Sequence, residues 1–223
     1  MCFAAFEARA QLGFDYSPYD IGFGASINKV YGDAETQTNT PSIHFNLGYN
    51  VSPYINYIFE VQAGQLKGGD SVHTLSGRQF TNAFTAVMFR AQVQAGEVID
   101  YSDSRLANAF KNFYLSTGIG FVVNHITSIN RYSIQVPGVY TPGDNNSNEI
   151  LIPARIGYEF KIFNNYGQPS VKIDLGYQYN FIMGDGLDGF TAGSAKDGYS
   201  QFTLGVKFAL GDVISYRKRI PYN

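Results

Sequence analysis

Between residues 171 and 181 an apolar side chain recurs at every second position. Val171, Ile173, Leu175, Tyr177, Tyr179 and Phe181 are separated by Lys172, Asp174, Gly176, Gln178 and Asn180. Successive side chains of a strand point to opposite faces, so this period of two predicts a β-strand with one polar and one apolar face. The pattern returns near 19–31, 41–51, 54–66, 84–98, 112–125, 150–162 and 202–210. Eight such segments, each about as long as a tilted membrane-crossing strand, predict an all-β chain: an eight-stranded antiparallel up-and-down transmembrane barrel. The connections alternate as well. Polar stretches at 33–40, 67–81, 126–148 and 184–199 alternate with tight turns at 50–53 and 164–169, and 100–109 is intermediate. Long loops on one side and short turns on the other fit a barrel of the outer membrane with both termini in the periplasm.

A soluble eight-stranded barrel alternates equally well but inside out. Here the polar face is mostly Gly, Ser, Asn and Gln, which fits a narrow interior better than a water-facing surface. The apolar face is bulky, with Tyr49, Tyr57, Tyr158, Tyr177 and Tyr179 expected towards strand ends as an aromatic girdle. Charged residues make up 15% of the chain, against about 25% in soluble domains. No run approaches the roughly 20 apolar residues of a spanning helix. The net charge of −2 and the lack of a basic stripe argue against a nucleic-acid partner. One cysteine, Cys2, excludes an internal disulfide and a Cys-based zinc site. Residues 1–10 include Ala8-Arg9-Ala10 before Gln11, an A-x-A pattern read as the end of an export signal; an ordinary chain start is the alternative. The barrel is then assigned to 11–211 and a basic periplasmic tail to 212–223.

An eight-stranded barrel is just wide enough for its own side chains. The inward charges expected are Glu60, Arg90, Arg155, Glu159, Lys161, Lys172, Asp174 and Lys207, with Glu60–Arg90, Asp174–Lys207 and Glu159–Lys172 as complementary pairs. Buried charges persist when paired, so a packed, salt-bridged lumen is expected, with a narrow gated ion path as the alternative. His44, His73 and His125 are scattered without metal-ligand spacing, so neither a metal nor another cofactor is expected. His125 with Thr127 on the outer wall is the one arrangement that could supply a base and a nucleophile. It is similar to the His/Ser site of lipid A deacylases, but Thr stands for Ser and no acidic orienter is identifiable. No catalytic residue is therefore assigned. The Gly-rich stretches 64–70 and 184–189 are read as solvated loops rather than a phosphate or calcium site. In the tail, Tyr216, Arg217, Lys218 and Arg219 could dock a periplasmic protein or neutralise an anionic surface.

The segments LGYNVSPYINYIFEVQAGQLKGGDS and GRQFTNAFTAVMFRAQVQAGEVIDY, with IGFGASINKVYGD and QFTLGVKFALGD, resemble small outer-membrane barrels of Bacteroidota. The nearest nameable pattern is the PorG-like barrel of the type IX secretion system, and the chain is also similar to the membrane half of OmpA-type proteins. The PorG-like resemblance implies a non-enzymatic membrane anchor or accessory subunit, bathed by outer-membrane lipid and lipopolysaccharide and joined to periplasmic partners.

Overall fold

A computed structural model describes residues 11–74, 76–102, 104–165, 167–191 and 196–219. Eleven strands follow in chain order: β1 (Gln11–Tyr16), β2 (Tyr19–Tyr31), β3 (Gln37–Thr38), β4 (Thr40–Asn50), β5 (Ile55–Gly69), β6 (Gln79–Gln94), β7 (Phe113–Asn130), β8 (Asn146–Phe163), β9 (Pro169–Ile182), β10 (Gly198–Leu210) and β11 (Ile214–Arg219). Strands β2 and β4 to β10 pair antiparallel with their neighbours. The β5–β6 and β2–β10 ladders complete the circle, giving a closed eight-stranded barrel.

Alternation sets the faces as expected. Phe23, Ile43, Leu115 and Phe202 project outward and are each more than half exposed, while adjacent residues such as Ser42, His44, Tyr114 and Ser116 are buried inside. Tyr49, Tyr57 and Tyr158 lie near the short turns, where Tyr19 meets Tyr49 at 5.7 Å and Phe113 meets Tyr158 at 6.2 Å, whereas Tyr179 lies at the opposite end, 5.9 Å from Tyr31. Tyr177 does not belong with them: it stands at mid-strand, 4.9 Å from Phe202.

The long-connection side departs most from expectation. Paired backbone carries β5 and β6 on to Gly69 opposite Gln79, and β7 and β8 on to His125 opposite Asn146. The stretch 64–69, read as a solvated loop, is therefore strand. Between β6 and β7 a 3-10 turn (Ala95–Glu97) precedes a helix, α1 (Arg105–Phe110), whose Ser104 Oγ accepts from the Ala107 amide at 3.3 Å. The tail is not a loose appendage: Ile214 to Arg219 pair with Tyr16 to Gln11 in a two-stranded ribbon outside the barrel sheet. The export-signal reading of 1–10 and the tail residues 220–223 lie outside the described residues.

Candidate functional site

Inside the barrel, side chains sort into three layers. Nearest the short turns, charges alternate without a break. Lys172 Nζ lies 2.6 Å from Asp20 and 3.7 Å from Glu159; Lys207 Nζ lies 3.6 Å from Glu159 and 3.0 Å from Asp174. Arg155 spans 3.1 Å to Asp174 and 3.9 Å to Glu60, and Arg90 ends the row 2.5 Å from Glu60. Four acids and four bases are thus interleaved so that each interior member has two opposite neighbours. All eight are buried. The strand periodicity makes this arrangement. Inward positions of β2, β5, β6, β8, β9 and β10 fall at nearly the same height, and cross-strand neighbours such as Glu159 and Asp174 stand directly opposite.

The structure brings seven of the eight expected lumen residues into this row. Lys161 is set apart. Its ammonium donates to the Pro53 carbonyl at 2.7 Å and to Gln94 Oε1 at 2.8 Å, and lies 4.9 Å over the Tyr54 ring. The expected pair Glu159–Lys172 exists, but the closer partner of Lys172 is Asp20. Asp20 is absent from the expected inward charges, although it lies within 19–31 and shares the inward parity of Gly22. Tyr114 was missed likewise. Its hydroxyl donates to Asp174 at 2.6 Å and accepts from Arg155 Nε at 2.8 Å.

Above the charges lies a layer of amides and hydroxyls: Gln62 Nε2 donates to Ser42 Oγ and to Gln201 Oε1, both at 2.8 Å, and Ser42 donates to Asn28 at 3.1 Å. His44 is buried here against glycine. A Cβ on Gly24 would overlap the His44 ring, so the absence of a side chain at 24 makes room for the imidazole. Several interior polar atoms, among them His44 Nδ1, Gln62 Oε1 and Arg90 Nε, have no protein partner. Groups of this kind are ordinarily satisfied by enclosed water.

The third layer, at the long-connection end, is apolar. Phe80, Phe84, Met88, Leu151 and Tyr199 pack around Leu187 and Phe190, which belong to the β9–β10 connection. The stretch 184–189, expected as a solvated loop, folds into the mouth: Leu187, Asp188 and Phe190 are fully buried. Asn82 Nδ2 donates to the Leu187 carbonyl at 2.7 Å, so the wall hydrogen-bonds the inserted backbone. Loop residues carry no periodicity, and glycine-rich composition alone cannot tell insertion from solvation.

At the opposite end the β1–β11 ribbon lies against the short turns. Tyr16 Oη donates to the Val51 carbonyl at 2.8 Å, and the Tyr216 ring stands 6.5 Å from Tyr16 and 6.2 Å from Tyr54. Tyr54 in turn donates to Tyr101 Oη at 2.7 Å. Arg217 is exposed, and the backbones of Lys218 and Arg219 stand opposite Leu12 and Gln11.

On the outer wall His125 and Thr127 project outward but do not meet as a base and a nucleophile. His125 Nδ1 is 2.6 Å from Asn146 Oδ1, and the Thr127 hydroxyl donates to the Thr81 carbonyl at 3.1 Å. His73 pairs with Asp70 at an exposed loop tip. Among the described residues no group of three or more His, Cys, Asp or Glu could hold a metal ion.

No protein-family model matches the chain, and no curated protein matches it. Solved structures do. Neisserial surface protein A (NspA) aligns over 87% of this chain and 98% of its own, at 14% identity and a TM-score of 0.53. Ail, the attachment invasion locus protein of Yersinia pestis, aligns over 86% and 98%, at 12% identity and a TM-score of 0.46. At such identities the NspA likeness bears on fold alone. With the closed ladders described above, it establishes the chain as an eight-stranded antiparallel barrel with the fold of small outer-membrane barrels.

Proposed function

We propose that this barrel sits in the outer membrane as an anchor or accessory subunit, with the terminal ribbon as its contact for a periplasmic protein. The observation that carries the reading is the unbroken row of paired charges across the lumen. A conduit needs mobile, hydrated charges, whereas each interior member of this row is held between two opposite charges. The large exposed apolar side chains on the outer face support burial in lipid, since contiguous apolar surface of this extent is not left in water. The ribbon supports the contact: it joins both ends of the chain, sits at the short-turn side and carries the sequence Arg217-Lys218-Arg219. The resemblance to PorG-like barrels makes secretion machinery of the type IX kind the partner to examine first. Neutralisation of an anionic surface is the other use for the same basic residues.

The test is recovery of the tagged chain from gently solubilised outer membranes, comparing the native protein, an Arg217→Glu variant and a chain ending at Asp212. The shortened chain also strips β1 of its partner strand, so the charge reversal is the cleaner comparison. A stable set of periplasmic proteins, lost with the charge reversal, is expected. A protein recovered alone in every case would contradict the anchor. The water-satisfiable polar atoms of the middle layer are the specific feature favouring a second reading, a narrow gated pore, which conductance decides.

A further inference from the structure

The upper lumen poses a physical problem of its own. A barrel already filled by ion pairs does not need an apolar wall, yet Val30, Leu66, Phe80, Phe84, Val122 and Leu151 all face inward there. What they enclose is Leu187 and Phe190 of the β9–β10 connection, with the Phe190 ring edge-on to Phe80 at 6.1 Å. Two carboxylates enter with it. Asp188 accepts from the Phe190 amide at 2.9 Å and from the Asp33 amide at 2.7 Å, and Asp197 accepts from the Leu187 amide at 2.8 Å. Those bonds hold the two apolar side chains at depth. A Cβ on Gly32 would stand 2.5 Å from Asp188 Oδ2 and 2.7 Å from Asp197 Oδ1, so both carboxylates converge on the space above that glycine.

The charges facing this pair do not neutralise it. Asp33 on the β2–β3 connection and Asp185 in the same loop add negative charge, and Glu149 on β8 stands beside Asp185. The cations of the rim turn elsewhere. The Arg78 guanidinium lies 5.9 Å over the Phe190 ring and donates to the Asp33 carbonyl, Arg131 donates to the Gly189 carbonyl, and Lys196 and Lys29 are exposed. Among the described residues neither carboxylate forms an ion pair. Two converging carboxylates of this burial cannot both stay ionised without large cost.

We propose that residues 184–191 of the β9–β10 connection form a proton-locked plug: they close the barrel mouth while Asp188 and Asp197 share a proton, and they leave the apolar vestibule when both are ionised. Burial raises both carboxyls above their ordinary range, Asp188 to about 6 and Asp197 to about 8. A raised value in the docked state means that the docked plug holds protons more tightly than the released loop. Docking is therefore fully stabilised below the ordinary Asp value of about 4 and is lost as pH rises through the raised values.

The chain has no tryptophan, so Phe190→Trp in the full-length protein, refolded into lipid vesicles, gives a single emission reporter. The expected result is blue, iodide-protected emission near about pH 5 that turns red and quenchable near about pH 9, and that stays protected at both in F190W/D197N. Emission unchanged by pH, or the same change with Asp197→Asn present, would overturn the proposal. Hydrogen exchange of 183–197, corrected for intrinsic rate, reads the unmodified plug should tryptophan not fit. Protection should fall about tenfold per pH unit for each proton released, and Asp197→Asn should remove one proton from that slope. A flat profile in the native chain, or equal slopes in both, would overturn it.

Discussion

Asp174 shows how much the interior depends on single side chains. It lies 3.1 Å from Arg155, 3.0 Å from Lys207 and 2.6 Å from the Tyr114 hydroxyl. Removing one member of a buried charge set leaves its partners desolvated and uncompensated, which costs about 3 to 5 kcal/mol. Asp174→Asn should therefore lower the unfolding free energy of the refolded barrel, read from its urea titration, by that order, whereas a charge change at exposed Arg217 should leave it within about 0.5 kcal/mol. An unchanged midpoint for Asp174→Asn would show that the row is not under electrostatic tension. Gly24 sets a different limit. Gly24→Val forces the His44 ring out of its seat and should cost about 1 to 3 kcal/mol through overpacking, again read from the urea midpoint.

At the scale of elements, the ribbon should be separable from the barrel. Its rings pack as Tyr216 on Tyr16 and on Tyr54, and such aromatic pairs are worth about 0.5 to 1.5 kcal/mol each. Tyr216→Ala should release amide protection in β1 and β11 by hydrogen exchange while that of β5 to β8 stays intact. Loss of protection throughout would mean that the ribbon is part of the barrel's folding unit. The same contrast explains what could be read in advance. The eight barrel strands carry bulky apolar residues on one face over many steps, so both their existence and their inward sets were legible, and Glu60–Arg90 and Asp174–Lys207 followed from parity. Strands β1 and β11 are six residues each and pair chain ends some two hundred residues apart; no local pattern announces such a partner. The inserted plug left no trace either, because its burial comes from wall residues on β2 and β5 to β10, not from its own sequence.

For the whole molecule, the three layers act in series. Paired charges fill the short-turn half, hydrogen-bonded amides the middle, and the inserted connection the mouth. On the anchor reading each layer obstructs passage by different physics, so loss of one should not open the barrel. Plug release at high pH exposes the apolar vestibule yet leaves the ion-pair row in place. The most direct measurement is single-channel current through the native protein in a planar lipid bilayer, recorded at both about pH 5 and about pH 9. A barrel that serves as an anchor should insert without steady current at either value. A stable, ohmic unit conductance at both would contradict a sealed lumen, and with it the anchor reading in favour of a pore.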